Sequence, residues 1–126
     1  MIQGIFIPSE YSATINGKTY EGKCADVTKE TTFDGLDKMS AFGLIVLISR
    51  AFKFDGEDFY TSLNKGGSFQ YSFDTFKMNG DRVIMIDKYK NEIPESKSGL
   101  MTYKNDILTI LNYAENGQVT ITYKKQ

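Results

Sequence analysis

Histidine and tryptophan are absent from this chain of 126 residues, and Cys24 is its single cysteine. Without histidine, neither a Ser-His-Asp triad nor a histidine-bound metal can form. One thiol cannot make an internal disulfide or a multi-cysteine zinc site, so we interpret it as a small buried apolar group. These absences weigh against an enzyme. We expect a protein that uses no catalytic residue, no cofactor and no metal.

A charge excess and a long apolar run are missing too. The chain has 15 basic and 16 acidic side chains and a formal net charge of −1, which favours no binding to nucleic acid. The apolar run at 39–48 is too short for a transmembrane segment, which needs about 20 residues. Met1–Pro8 lacks the features of a signal peptide. We expect a cytoplasmic protein if the chain is complete, and an extracytoplasmic one if a signal peptide was removed.

What the chain does contain is a series of short alternating segments separated by turn residues. Asn16-Gly17 lies between two such segments, and this dipeptide is the strongest short-range signal for a β-hairpin. After Arg50, further turn signals recur at intervals of about 9–14 residues, which is typical of an antiparallel barrel or sandwich. We predict one mainly β domain over residues 1–126, with an N-terminal arm at 1–10.

Two of the predicted strands have informative patterns. In the last strand, Val119, Ile121 and Tyr123 alternate with polar residues, which predicts that these three point inward. Further upstream, the large apolar residues change from odd to even positions near Asp74-Thr75, which favours a β-bulge that bends the sheet.

The run from Met39 to Ile48 is the most apolar part of the chain. Asp34 precedes it as a suitable helix N-cap. Apolar residues occupy both faces of a helix drawn over this run, which is typical of a buried helix. We therefore predict one helix at about 35–50, packed against or capping a barrel. The alternative is a buried strand over Leu44–Ile48, a segment rich in β-branched residues.

Two stretches resemble the calycin superfamily, which contains the lipocalins and the intracellular fatty-acid-binding proteins. Phe33-Asp-Gly-Leu-Asp-Lys-Met39, followed by Gly43, is similar to the start of the first helix in fatty-acid-binding proteins. Val83–Lys124 is similar to the closing strands of that family. The resemblance implies an up-and-down antiparallel β-barrel that holds a small apolar molecule.

The chain departs from the family pattern in two places. Lipocalins carry Gly-x-Trp on the first strand, and this chain has no tryptophan. In fatty-acid-binding proteins an Arg-x-Tyr pair grips the ligand carboxylate; Tyr123 matches the tyrosine, but Ile121 stands at the arginine position. The chain is also shorter than that family's ten-stranded members. We therefore predict a lipocalin-like barrel of about eight strands with one helix.

The candidate ligand-binding residues are aromatic side chains predicted to face inward and one arginine at the end of the apolar run. They are Tyr20, Arg50, Phe69, Tyr71, Phe73, Tyr103 and Tyr123. A barrel of this size either is filled by its own side chains or holds one small ligand. Arg50 has two interpretations, a charge favoured at the C-terminus of a helix and a ligand-facing guanidinium.

Two functions follow, from different classes. The first is a non-catalytic binding protein that holds a small apolar or amphipathic ligand inside a lipocalin-like barrel. The second is a structural or protein-interaction protein, such as an assembly component or an inhibitor. In that case the barrel is solid, and a protein partner covers the apolar segment Leu36–Ile48.

Overall fold

A computed structural model describes residues 2–126 and contains ten β-strands and two α-helices. The mainly β prediction is confirmed. In chain order the elements are β1 Gly4–Ile15, β2 Lys18–Lys23, α1 Lys38–Ile48, β3 Ala51–Asp55, β4 Asp58–Ser62, β5 Gln70–Tyr71, β6 Thr75–Asn79, β7 Arg82–Ile86, α2 Glu95–Ser98, β8 Leu100–Lys104, β9 Ile107–Ala114 and β10 Gly117–Lys125. A 3₁₀ turn, Cys24–Asp26, follows β2.

Nine of these strands form one antiparallel, curled sheet in the order β5-β4-β3-β1-β10-β9-β8-β7-β6, and β2 pairs separately with β1. The sheet is a half-barrel, so the prediction of a closed barrel of about eight strands is wrong in its closure and its strand number. Its connectivity follows the predicted meander in two parts, β3 to β5 and β6 to β10, which do not pair with each other. β1 joins the two parts of the sheet, because it pairs with both β10 and β3.

The opening of the sheet lies between β5 and β6, which only residues 72–74 separate in the chain. Ser72 still contacts β4, its backbone N–H donating to the carbonyl of Phe59 at 3.0 Å. Phe73 then takes a left-handed φ of 66°, which bulky residues rarely adopt. Beyond this kink, β6 pairs with β7. The change of side-chain parity near Asp74-Thr75 thus marks a break between two pairings, not a bulge within one.

The long strand β1 joins the two sides of the sheet. It pairs with β10 along most of its length, with β3 through Gly4–Phe6 and with β2 through Glu10–Ile15. A register shift between Pro8 and Glu10 divides these two parts of the strand. Most of the segment 1–10, predicted as an N-terminal arm, therefore lies in a central strand, where Phe6 is fully buried.

The hairpin predicted at Asn16-Gly17 is confirmed. Both residues have positive φ, 53° and 78°, as the turn between β1 and β2 requires. The predicted alternation of β10 is also confirmed, because Val119, Ile121 and Tyr123 are all buried.

Aromatic side chains fill the concave side of the sheet. Phe52 stacks on Phe59 with ring centroids 5.4 Å apart and meets Tyr123 at 5.2 Å. Phe54 contacts Phe6 at 5.8 Å and Phe76 at 4.9 Å, both edge to face. The Phe54–Phe76 contact joins β3 to β6, the strand at one end of the sheet order. These rings, with the aliphatic residues of β7 to β10, form a continuous core.

Helix α1 confirms the helical interpretation of the apolar run, but its boundaries differ from the predicted 35–50. It begins at Lys38 because Asp37 is the N-cap, its carboxylate accepting from the backbone N–H of Ser40 at 2.7 Å. Asp34, the predicted N-cap, pairs instead with Lys18 at 2.8 Å. Gly35 has a φ of 86°, which separates Asp34 from the helix.

The prediction of a helix buried on all sides is wrong. Of the residues of α1, only Leu44 and Ile48 are buried in the core. Met39 is 86% exposed and Phe42 is 69% exposed. An 11-residue helix beside an open sheet reaches the core with one face only, and the sequence pattern of α1 does not distinguish that face from the others.

Part of the connection between β7 and β8 packs against the core. It contains α2, which lies beside β8 and β9. The backbone N–H of Ile93 donates to Met85 at 2.8 Å, and Ile93 packs against the core. Within residues 2–126, no helix has the length and apolarity needed to cross a membrane.

The aromatic core gives a stability prediction. We expect Phe52→Ala to lower the free energy of unfolding by about 3–5 kcal/mol, because it removes a buried ring and leaves a cavity. Chemical denaturation monitored by circular dichroism measures this change. Phe73→Ala is the control, since Phe73 is 66% exposed and its loss leaves no buried cavity. Equal effects of the two substitutions would contradict the described packing.

The N-cap gives a second prediction, on the pH dependence of stability. Hydrogen bonds from Ser40 lower the pKa of Asp37 below its ordinary value, so the cap stabilises the fold above the pKa of the unfolded state. This contribution is lost as the pH falls through the lowered pKa. We expect Asp37→Asn, whose amide oxygen can still cap the helix, to retain more thermal stability at pH 7 than Asp37→Ala. If Asp37→Ala and wild type melt at the same temperature, Asp37 is not the N-cap.

Candidate functional site

The seven predicted ligand-binding residues do not line one common space. Tyr103 and Tyr123 contact the aromatic core, and Arg50 lies beside that core. Tyr71 and Phe73 lie at the open edge of the sheet, on its outer side. The remaining two, Tyr20 and Phe69, lie in β2 and in the β4–β5 loop.

Tyr123 is packed inside the core, whereas Tyr103 is half-buried and lines a surface hollow beside Met78 and Lys104. Tyr123 is 1% exposed, and burial raises the pKa of its hydroxyl well above the ordinary value. Tyr103 meets Phe6 at 5.7 Å and donates from its hydroxyl to Asp106 at 2.7 Å, close to the β8–β9 turn. Both phenols therefore have the surroundings of packed core or rim residues.

Arg50 lies two residues beyond the end of α1, with its guanidinium carbon 5.2 Å from the ring centroid of Phe52. The same Phe52 ring lies 5.2 Å from the ring of Tyr123, and the positive charge of Arg50 partly opposes the rise in the pKa of Tyr123. Within residues 2–126, Arg50 forms no ion pair. Arg50 and Tyr123 are thus two predicted site residues that the fold brings close to each other.

Tyr20 and Phe69 have local packing roles. The hydroxyl of Tyr20 donates to the backbone carbonyl of Asp34 at 2.5 Å, and its ring meets Phe33 edge to face at 5.8 Å. These contacts hold the segment before α1 against β2. Phe69 is half-buried beside Gly66 in the β4–β5 loop.

A small exposed aromatic cluster lies on the outer side of β4 and β5. The ring centroid of Tyr71 lies 5.5 Å from that of Tyr60 and 4.8 Å from that of Phe73. The ammonium nitrogen of Lys53 lies 5.0 Å from the ring centroid of Tyr60. The rings are tilted by more than 50° to one another, so they form no flat platform.

The largest group of exposed aliphatic and aromatic side chains lies along α1. Met39, Phe42 and Val46 follow one another on its surface at spacings of three and four residues, and Leu63 of the β4–β5 loop faces them across a groove of about 440 Å³. We call this the α1 groove. Its lining includes Phe42, Ile45 and Val46 from the helix, and Val27, Lys29 and Leu63 from the facing loops.

Lys65 fixes the side of the groove opposite to the helix. Its ammonium group donates to the carbonyls of Cys24 at 2.6 Å and of Val27 at 2.5 Å. Its backbone N–H donates to Ser49 at 2.7 Å, just beyond the end of α1. One lysine therefore connects the 3₁₀ turn, the β4–β5 loop and the helix, so the groove has a defined shape.

The helix side of this groove lies in the segment Leu36–Ile48, for which a partner was predicted, but its facing side was not predicted. Leu63 is a lone apolar residue among polar neighbours in the segment Ser62–Gly67. That isolation was the only sequence signal, and it does not show which element the side chain faces.

Comparisons with protein-family models, with curated proteins and with solved structures find no match to this chain. The resemblance to calycins therefore stays a prediction. No group of three or more metal-ligating side chains occurs in the part of the chain that the structure describes.

Cys24 gives a prediction for this region. The thiol is fully buried, and burial raises its pKa from 9.0 to about 11, although the charge of Lys65 opposes the rise. A shift of two pKa units lowers the thiolate fraction at pH 8 by about 100-fold. We expect native Cys24 to react with an aromatic disulfide reagent at least about 100-fold more slowly than the protein unfolded in urea. Similar rates in both states would show that the thiol is accessible.

Proposed function

We propose that this protein is a non-catalytic interaction protein that binds another protein through the α1 groove. One observation carries the proposal: Phe42 and Leu63, each 69% exposed, line one groove, and Met39, 86% exposed, lies three residues before Phe42 on the same helix. Apolar side chains grouped in this way typically mark a protein interface. A helix that is apolar on all sides needs a second covering surface, and the protein's own sheet covers only one of its faces.

The exposure of these side chains also favours a protein over a small molecule as the partner. A small-molecule site encloses most of its ligand, typically 70–90% of the ligand surface. The α1 groove has walls that stand largely in solvent, so a small ligand in it would stay exposed. A protein partner can cover the groove together with Met39 at its end.

A second candidate is the predicted binding of a small apolar or amphipathic ligand. The observation that favours it is that Arg50, which lacks an ion-pair partner within residues 2–126, and the buried Tyr123 both contact the ring of Phe52. The aromatic rings that fill the concave side weigh against it. Native mass spectrometry of the purified protein tests this candidate, which requires a bound small molecule that Arg50→Leu releases.

The interface proposal predicts the behaviour of Phe42→Glu. Because Phe42 is exposed and close to the N-terminus of α1, this substitution should change the free energy of unfolding by no more than about 0.5 kcal/mol. It should reduce by at least about tenfold the recovery of the bound partner in affinity purification followed by quantitative mass spectrometry.

The matched control is Tyr89→Glu, because Tyr89 is 72% exposed and lies outside the groove, in the β7–β8 connection. Tyr89→Glu should keep the partner that Phe42→Glu loses. Recovery of the same proteins with wild type and Phe42→Glu would overturn the proposal.

A further inference from the structure

The charged side chains that line the α1 groove are of one sign. Lys29 and Lys65 line it, and no carboxylate does. Lys38 precedes Phe42 by four residues on α1, so it lies on the same face of the helix. Glu30 follows Lys29 in the chain but is not part of the lining.

These lysines are not neutralised within the protein. In the part of the chain that the structure describes, none of the three takes part in an ion pair. Lys29 and Lys38 are exposed. Lys65 uses two of its three N–H donors on the carbonyls of Cys24 and Val27, which leaves one donor for a partner. The carboxylate of Asp37 is held at the N-terminus of α1 by Ser40.

The same charges argue against a second copy of this chain as the occupant. A two-fold dimer through the groove would place the same surface against itself. Both copies would then bring Lys29, Lys38 and Lys65 to one shared apolar contact. Like charges facing each other across an interface are unfavourable, so the groove is better suited to a partner of opposite charge.

We infer that the partner presents an amphipathic segment with acidic side chains beside its apolar ones. The inference rests on the proposed function, because it names the chemistry of the partner at the same groove. The apolar side chains of the segment fill the space between Phe42, Val46 and Leu63. Its carboxylates lie near Lys29 and Lys38, where they gain attraction without being buried.

The test is a selection from a displayed library of random peptides of roughly 16 residues, long enough for about four helical turns. Immobilised wild-type protein is the bait, and peptides that also bind Phe42→Glu are removed. Synthetic copies of the selected peptides are then titrated against wild type, Lys29→Glu and Lys124→Glu. Lys124 is the control because it is exposed on the far end of β10 and does not line the groove.

The inference predicts selected peptides enriched in Asp and Glu. Their affinity should fall roughly threefold to tenfold with Lys29→Glu and stay unchanged with Lys124→Glu. Added salt should weaken binding to wild type. Peptides that depend on Phe42 but lack acidic residues and ignore Lys29→Glu would overturn the acidic partner while leaving the interface in place.

Two further measurements address other occupants. Sedimentation velocity of wild type should show a monomer; a dimer that Phe42→Glu dissociates would overturn the inference in favour of a second copy. Flotation with phosphatidylserine vesicles should show no binding that Phe42→Glu removes; such binding would overturn it in favour of a membrane surface. If no peptide remains after removal of those that also bind Phe42→Glu, the proposed interface itself fails.

Discussion

The packing of Phe52 and Phe54 between the strands of the curled sheet is the interaction on which the remaining structure depends. Phe54 contacts Phe76 across the opening between β5 and β6, so aromatic packing joins two sides that backbone hydrogen bonds do not join. Burial of such rings is a large favourable term in folding. It also fills the concave side of the sheet. The exposed apolar side chains lie instead on the outer surface of α1.

Features that depend on neighbouring residues could be predicted from the sequence. The dipeptide Asn16-Gly17 predicted the first hairpin, and strict alternation predicted that Val119 and Tyr123 lie in the core. The opening of the sheet could not be predicted, because the break at 72–74 depends on which strand β6 pairs with. The choice of Asp37 over Asp34 as N-cap is similar, since the pairing of Asp34 with Lys18 requires the fold of β2.

The candidate site was predicted in part. The segment Leu36–Ile48 was predicted to be covered by a protein partner, which stays a prediction, and in the fold α1 exposes Phe42 and Val46. The facing side of the groove was missed because Leu63 and Lys29 meet α1 only in the folded chain. The predicted aromatic ligand site assumed that inward rings border a cavity. In the fold, Tyr123 packs against Phe52, and the side chain of Tyr71 lies on the outer side of the sheet.

The exposure of the α1 face is the central claim, and methionine methyl groups report on it directly. With ¹³C-methyl methionine and a soluble paramagnetic agent, NMR line broadening measures the contact of each methyl group with solvent. Met39 should broaden strongly, while Met85 and Met101, which are 3% and 4% exposed, should keep sharp signals. A Met39 signal as protected as those of Met85 and Met101 would show that this face is already covered in the isolated protein.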